Sequence, residues 1–208
     1  QGIVSPDKFI PLFEKEQVIK DIDYFVLDHS LQIMDGWKKA GKTLIPISVN
    51  FSRDTLLDPS SLAYTLEICS HYDIPLDMIE IEITESIGNI ERSTMSNACE
   101  QFIKQGFLLS LDDFGSEYSS LSVLSAINFH SLKLDKSIIS DIVTNQMSNY
   151  IVESTIRLCK EAGMISVAEG VETEEQLNAV MELGCDIAQG YFFNKPIPPE
   201  DFEEKYIR

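Results

Sequence analysis

Positive charge is scarce in this sequence. Sixteen lysines and arginines face 34 aspartates and glutamates, a formal net charge of −18 over 208 residues. Polyanions are gripped by clustered Lys and Arg, so the shortage excludes a nucleic-acid polymer or an anionic membrane as the natural partner. An anionic ligand would need a metal ion or a locally placed cation instead. Long apolar runs are missing too. None nears the roughly 20 residues of a membrane span, and the opening QGIVSPDKF has neither the charged nor the apolar region of a signal peptide. These absences predict a cytoplasmic domain.

Thiol and imidazole chemistry are equally thin. Cys69, Cys99, Cys159 and Cys185 form no CxxC pair, and the first three fall in helix-patterned segments, so they are read as reduced, buried structural thiols. His29, His71 and His130 are scattered, which gives a His-based zinc site no support. No Pro/Gly/Ser-rich linker, internal repeat or low-complexity tract divides the chain. One domain is expected, with 44% hydrophobic residues to build its core.

What is present is an alternation. Short β-branched or apolar runs at 44–50 (LIPISVN), 79–84 (IEIEIT), 107–112 (FLLSLD), 131–134 (SLKL) and 164–168 (MISVA), with a short sixth near CDIAQG, are separated by longer helical patterns. Ser5-Pro6 opens the first helix, glycines 41, 106, 163 and 184 follow the ends of later ones, and Thr173 with Gln176 makes a capping box. Such alternation implies parallel strands in an α/β fold. Polar residues then fall late in or just after every run: Asn50, Glu82, Asp112 with Asp113, Lys133, Glu169 and Gln189. Chemistry gathered from successive carboxyl ends is the arrangement of a (β/α)8 barrel, whereas a doubly wound sheet would collect it at one crevice. The barrel is expected, although only six strands are visible.

Asn50, Glu82, Asp112 and Asp113 offer hard oxygen donors of the kind Mg²⁺ and Mn²⁺ choose. Adjacent aspartates can each serve one of two metals about 3.5–4 Å apart, the spacing used for in-line attack on phosphodiesters. Asp-Asp before a glycine is by itself an ordinary turn signal; the other strand-end residues change its meaning. Lys133 in SLKLD has two compatible roles, relieving carboxylate crowding and orienting and helping to deprotonate a metal-bound water. Of Glu169 and Glu172 in AEGVE, one suits the mouth as ligand or base and the other suits the cap of the next helix.

The segments SVNFS, IEITES, DDFGSEYSSL, LKLDKS, AEGVET and QGYFFNKP occur in the order and spacing of the EAL domain, the bacterial phosphodiesterase that linearises cyclic di-GMP, and the resemblance runs from Gly2 to about Phe202. It implies a variant TIM barrel whose first strand is antiparallel, two Mg²⁺ or Mn²⁺ ions, and hydrolysis of one phosphodiester to give linear pGpG. It also implies that Asn50, Glu82, Asp112 and Asp113 ligate metal and that Lys133 positions the nucleophilic water. Glu169 resembles a further acid at the metals. Glu85 and Glu172 resemble supporting acids, Glu85 anchoring the loop after Asp113, and Gln189 resembles a contact to water or ligand. Phe193 is placed to stack on guanine or to pack in the core.

Two departures accompany the resemblance. The Glu-Ala-Leu motif and the arginine after it belong just before Gln1, so the resemblance implies an EAL domain lacking its first two strands and one ligand, part of a larger signalling protein with an upstream sensor or GGDEF-type domain. Residues 1–208 alone are then expected to hold metal weakly and to leave barrel edges for another chain or a rearranged segment to cover. Glu117 stands where the loop commonly has Gly. Pairing of two copies through barrel-flank helices is a further implication. The alternatives to a phosphodiesterase are a degenerate EAL domain that binds cyclic di-GMP or a protein without cleavage and, more remotely, a metal lyase of the enolase type.

Overall fold

Six strands form one parallel sheet in the computed structural model, which describes residues 4, 6–84, 92–116 and 121–208. They are β1 (Ile47–Asn50), β2 (Ile79–Thr84), β3 (Leu108–Phe114), β4 (Ser131–Leu134), β5 (Ile165–Ala168) and β6 (Ile187–Ala188), and they lie side by side in sequence order. A doubly wound sheet reverses its order at a switch point, while a barrel adds each strand beside the last. The observed order is that of an α/β TIM-like fold. β1 begins at Ile47 and not at Leu44 because Pro46 has no N–H to donate to a ladder, and β3 continues past Asp112 to Phe114.

Helices α1 (Pro6–Lys15) and α2 (Ile19–Lys39) precede β1, α3 (Arg53–Leu56) and α4 (Ser61–Ser70) follow it, and α5 (Arg92–Gln105) follows β2. Next come α6 (Leu121–Leu124) after β3, α7 (Lys136–Ser140) and α8 (Gln146–Ala162) after β4, α9 (Glu174–Glu182) after β5, and α10 (Pro199–Tyr206). Their ends follow the sequence signals. Thr173 and Gln176 exchange the two bonds of a capping box at α9, and Gly163 closes α8 in the left-handed conformation, φ 72°. Ser5, Glu85 and Glu117 lie outside the described residues.

The two faces of the sheet differ in chemistry. On one, Ile79, Ile81, Ile83, Leu109, Leu111, Leu132 and Leu134 are buried in the apolar core, beside the α2 stripe of Leu27, Leu31, Met34 and Trp37 at helical spacing. The other face is polar. Ser48 and Ser131 hydroxyls donate to the two oxygens of Glu80 at 3.0 and 2.7 Å, and Ser131 Oγ lies 2.7 Å from Ser110 Oγ. Alternation along each strand carries this polar face upward to the carboxyl ends. Cys69, Cys99 and Cys159 are buried and unpaired on α4, α5 and α8; Cys185 is half-buried. Among the described residues, no helix is long and apolar enough to cross a membrane.

β1 and β6 each have one neighbour among the described strands. A cavity of about 920 Å³ lies between these edges, with Ile47 and Ile187 on its two sides and Trp37 and Phe202 in its wall.

Phe102 locks α5 to the sheet side of the core, meeting Phe51 at 6.0 Å and Phe107 at 5.6 Å edge to face. Phe102→Ala is expected to lower unfolding stability by about 3–5 kcal/mol in urea titrations, the range for emptying a buried aromatic site.

Candidate active site

The polar face ends in a buried ion cluster. Lys133 on β4 points its Nζ at three carboxylates: Glu82 of β2 at 2.9 Å, Asp112 of β3 at 3.2 Å, and Glu169, the residue after β5, at 2.7 Å. Lys133, Glu82 and Asp112 are buried, with 6%, 6% and 8% of their surface exposed. Four residues spread over 88 positions of sequence thus meet at one mouth because they sit on the same face of neighbouring parallel strands. Backbone bonds hold the last of them in register, with the Glu169 amide donating to the Leu134 carbonyl at 3.1 Å.

Asp113 reaches the same place by a different route. In a regular strand it would point away from Asp112. The β3–β4 register shifts between Leu111 and Phe114, and Asp113 adopts φ 57° in the left-handed region. Asp tolerates that conformation better than most residues because its short side chain can bond locally, and the Asp113 amide here donates to Asp112 Oδ1 at 2.9 Å. The kink turns both aspartates toward the mouth. Oxygens of Asp112, Asp113 and Glu169 all lie within 4.8 Å of one another.

Burial sets the electrostatics. Desolvation raises the carboxyls of Glu82 and Glu169 above the usual range, and Lys133 only partly offsets this. Asp113 is raised by burial first and then by Asp112 and Asp135. Burial alone would lower Lys133, but Glu82, Asp112 and Glu169 outweigh it and hold the ammonium charged well above its ordinary value. A cluster of negative groups whose charge is incompletely neutralised, built only from oxygen donors, fits a hard divalent cation. Asp112, Asp113 and Glu169 are the residues that could hold one.

The remaining candidates divide. Asn50 ends β1 directly opposite Glu82 in the register, on the same face and exposed. Gln189 lies after β6 in a small cavity of about 230 Å³ with Glu169, Glu172 and Tyr191. Glu172 stands apart from the ion cluster: its carboxylate pairs with Lys136 at 2.5 Å, and its amide donates to Gln176 at the start of α9. Phe193 is not a core aromatic. It is 48% exposed and lines the larger cavity together with Gln189 and Tyr191. Glu85 is outside the described residues.

Three residues were missed from the sequence. Asp135, two positions past Lys133, caps α7 by accepting from the Ser137 amide and adds its charge to Asp113. Lys136 and Tyr191 border the small cavity, with the ammonium 6.0 Å from the ring. Asp135 and Lys136 follow a strand end directly, which was the available signal; Tyr191 gave none beyond its place two residues after Gln189.

The sequence profile of the EAL domain matches residues 1–196. The chain belongs to the EAL domain family. Among curated relatives of this EAL domain are the signaling protein YkoW of Bacillus subtilis, 33% identical over 97% of the chain, and the cyclic di-GMP phosphodiesterase PA2567 of Pseudomonas aeruginosa, 30% identical over 98%. The chain spans 25% and 34% of their respective lengths. The structure of PaMucR phosphodiesterase in its c-di-GMP complex superposes with a TM-score of 0.90 at 30% identity, covering 97% of this chain and 82% of that one. The fold is therefore the EAL type of TIM-like fold, with a six-stranded parallel half-barrel among the described residues.

The ion cluster makes stability depend on pH in a stated direction. Glu82 and Glu169 bind protons more tightly folded than unfolded, so their contribution is complete below the ordinary carboxylate range and is lost as pH rises through the raised folded values. Lys133 limits that loss. In metal-free buffer, Lys133→Met is expected to be near-neutral at pH 4 and to cost roughly 3–5 kcal/mol at pH 7. Urea unfolding at both values checks this; a deficit constant with pH would contradict it.

Proposed function

We propose that this EAL domain hydrolyses one phosphodiester of cyclic di-GMP to give linear pGpG. The observation that carries the reading is the meeting of Asp112, Asp113 and Glu169 oxygens beside a buried, charged Lys133. Similarity to a phosphodiesterase solved with c-di-GMP and to curated cyclic di-GMP phosphodiesterases at about 30% identity supports the substrate class.

Asp112, Asp113 and Glu169, with Glu82 and Asn50 beside them, would hold two Mg²⁺ or Mn²⁺ ions. When bound, such ions supply Lewis acidity toward phosphoryl oxygens and ease deprotonation of water at neutral pH. The chain's own residues supply orientation and proton handling. Lys133 stays protonated in this environment, so it serves as a fixed donor that orients the attacking water and faces the phosphodiester charge. Glu169, placed against Lys133, would join Asp112 and Asp113 in holding the ions and keep the Lys133 ammonium aimed at the mouth. Gln189 and Tyr191 border the small cavity beside Glu169, Phe193 lines the larger cavity that shares them, and together they would receive the nucleotide, an aromatic face suiting a guanine. Glu172 supports this wall through Lys136.

A second reading, binding of cyclic di-GMP without turnover, rests on Glu82, which pairs with Lys133 and stands outside the three-oxygen cluster. A larger signalling parent with an upstream sensor or GGDEF-type domain, and pairing through barrel-flank helices, complete the proposal.

The test is an assay of cyclic di-GMP cleavage with Mg²⁺ or Mn²⁺ on the full-length protein carrying this domain. Asp112→Asn is expected to abolish hydrolysis with the fold retained, and Lys133→Ala to lower kcat roughly 10²-fold or more with little change in nucleotide affinity. Tight cyclic di-GMP binding with no turnover in the unmutated protein would favour the receptor reading, and normal turnover in Asp112→Asn would refute the metal assignment.

A further inference from the structure

One buried charge outside the ion cluster has no part in the chemistry above. Asp23 sits within the apolar stripe of α2, between Ile19 and Leu27, and is 6% exposed. A carboxylate in an apolar stripe is costly unless its oxygens are bonded. Asp23 Oδ2 accepts two bonds, from the Ser52 amide at 2.8 Å and from the Thr55 hydroxyl at 2.6 Å. Both donors belong to the turn and short helix that leave β1 just after Asn50. Ser52 in turn caps α3, its hydroxyl accepting from the Thr55 amide at 3.2 Å.

The residue between is fixed as well. The Phe51 amide donates to the Glu82 carbonyl at 2.9 Å, and its ring meets Tyr24, the neighbour of Asp23, edge to face at 6.1 Å. Asn50 is therefore bracketed: β2 holds the position after it, and α2, through Asp23, holds the Ser52 amide and the Thr55 hydroxyl that follow. β1 pairs with β2 through the Asn50↔Glu82 register position, so the backbone leaving β1 is where the support from α2 adds to that of the sheet. A charged acceptor makes shorter, stronger bonds than a neutral one, and a ligating side chain works only when its support holds it within about 0.5 Å.

We propose that Asp23 is a positioning residue for Asn50, holding the exit of β1 so that the Asn50 amide oxygen is presented beside Glu82 at the mouth. This inference rests on the reading of the mouth as a divalent-metal site with Asn50 among its ligands. Asp23 touches neither metal nor substrate; it acts through the Ser52 amide and the Thr55 hydroxyl.

The test uses Mn²⁺ alone as probe, its affinity measured by calorimetry and by loss of the free-ion electron paramagnetic resonance signal in the full-length protein. Asp23→Ala is expected to weaken Mn²⁺ binding about 10-fold, the lower end for loss of a group that orients a ligand, while Asp23→Asn, which keeps an acceptor oxygen, recovers most of it. In the Asn50→Ala background the same Asp23→Ala change is expected to have no further effect, because the residue it positions is gone. If Asp23→Ala does not fold, Thr55→Val, which removes one donor to the carboxylate, carries the test in the same direction. Unchanged affinity in Asp23→Ala, or losses that add in the double variant, overturns the proposal. So does unchanged affinity in Asn50→Ala: with Asp112→Asn still abolishing binding, the metal site stands and this inference alone falls, whereas unchanged binding in both removes the metal reading and the inference with it.

Discussion

A single ammonium group surrounded by three carboxylates organises the mouth of this barrel. Taking Lys133, Glu82 and Asp112 out of water costs more than a surface pair would, and such a cluster is seldom a net source of stability. Its value is geometric. Each carboxylate comes from a different strand or from the residue just past one, so the shared cation ties the ends of β2, β4 and β5 to that of β3. The surplus of negative charge left over is what a divalent ion would neutralise. Stability is sustained elsewhere, by the opposite face of the same strands, where Ile81, Leu109, Leu111 and Leu132 have almost no exposure. The alternation of side chains along a strand lets one sheet carry a dry core on one side and concentrated charge on the other.

Much of this was legible in the sequence. Period-two runs ending in polar residues located β2 and β4 to the residue, and the same polar ends named Glu82, Asp112, Lys133 and Glu169 before their proximity was known. Parallel strands in sequential order gather such a one-dimensional pattern along one end of the sheet. What remained hidden depends on non-local geometry. Nothing in LSLDDFG announces that the register slips after Leu111 or that Asp113 turns left-handed, and a regular strand would have sent its side chain the other way. Glu172 looked equivalent to Glu169 across Gly170. The difference is set by Lys136, which takes Glu172 to the flank, a pairing across 36 positions that no spacing rule supplies.

Support for the site also runs through positions with no chemical signature of their own. In a helical wheel Asp23 reads as a flaw in an apolar stripe, and the Ser131–Glu80 bond lies below the mouth where side chains usually fill a barrel with hydrocarbon. These features show that polarity in this barrel extends downward along the strands and outward into α2. The elements that carry the reactive groups are fixed by directional bonds as well as by packing, and directional bonds are the ones that define angles.

The left-handed backbone at Asp113 separates two aspartates that look interchangeable in the sequence. At Asp112, whose own backbone has no positive φ, drift among related proteins is limited by chemistry and by the bond its carboxylate accepts from the Asp113 amide, and many small side chains are sterically acceptable once activity is no longer under selection. At Asp113 a second filter acts on the main chain, since φ near 57° is comfortable for Gly, Asn and Asp and strained for nearly everything else. A lineage that abandons catalysis should thus lose the two acids along different paths, with Asp112 dispersing over many residue types and Asp113 passing through asparagine or glycine. The pattern of substitution at two neighbouring positions would record whether a barrel of this kind had kept its turn after giving up its chemistry.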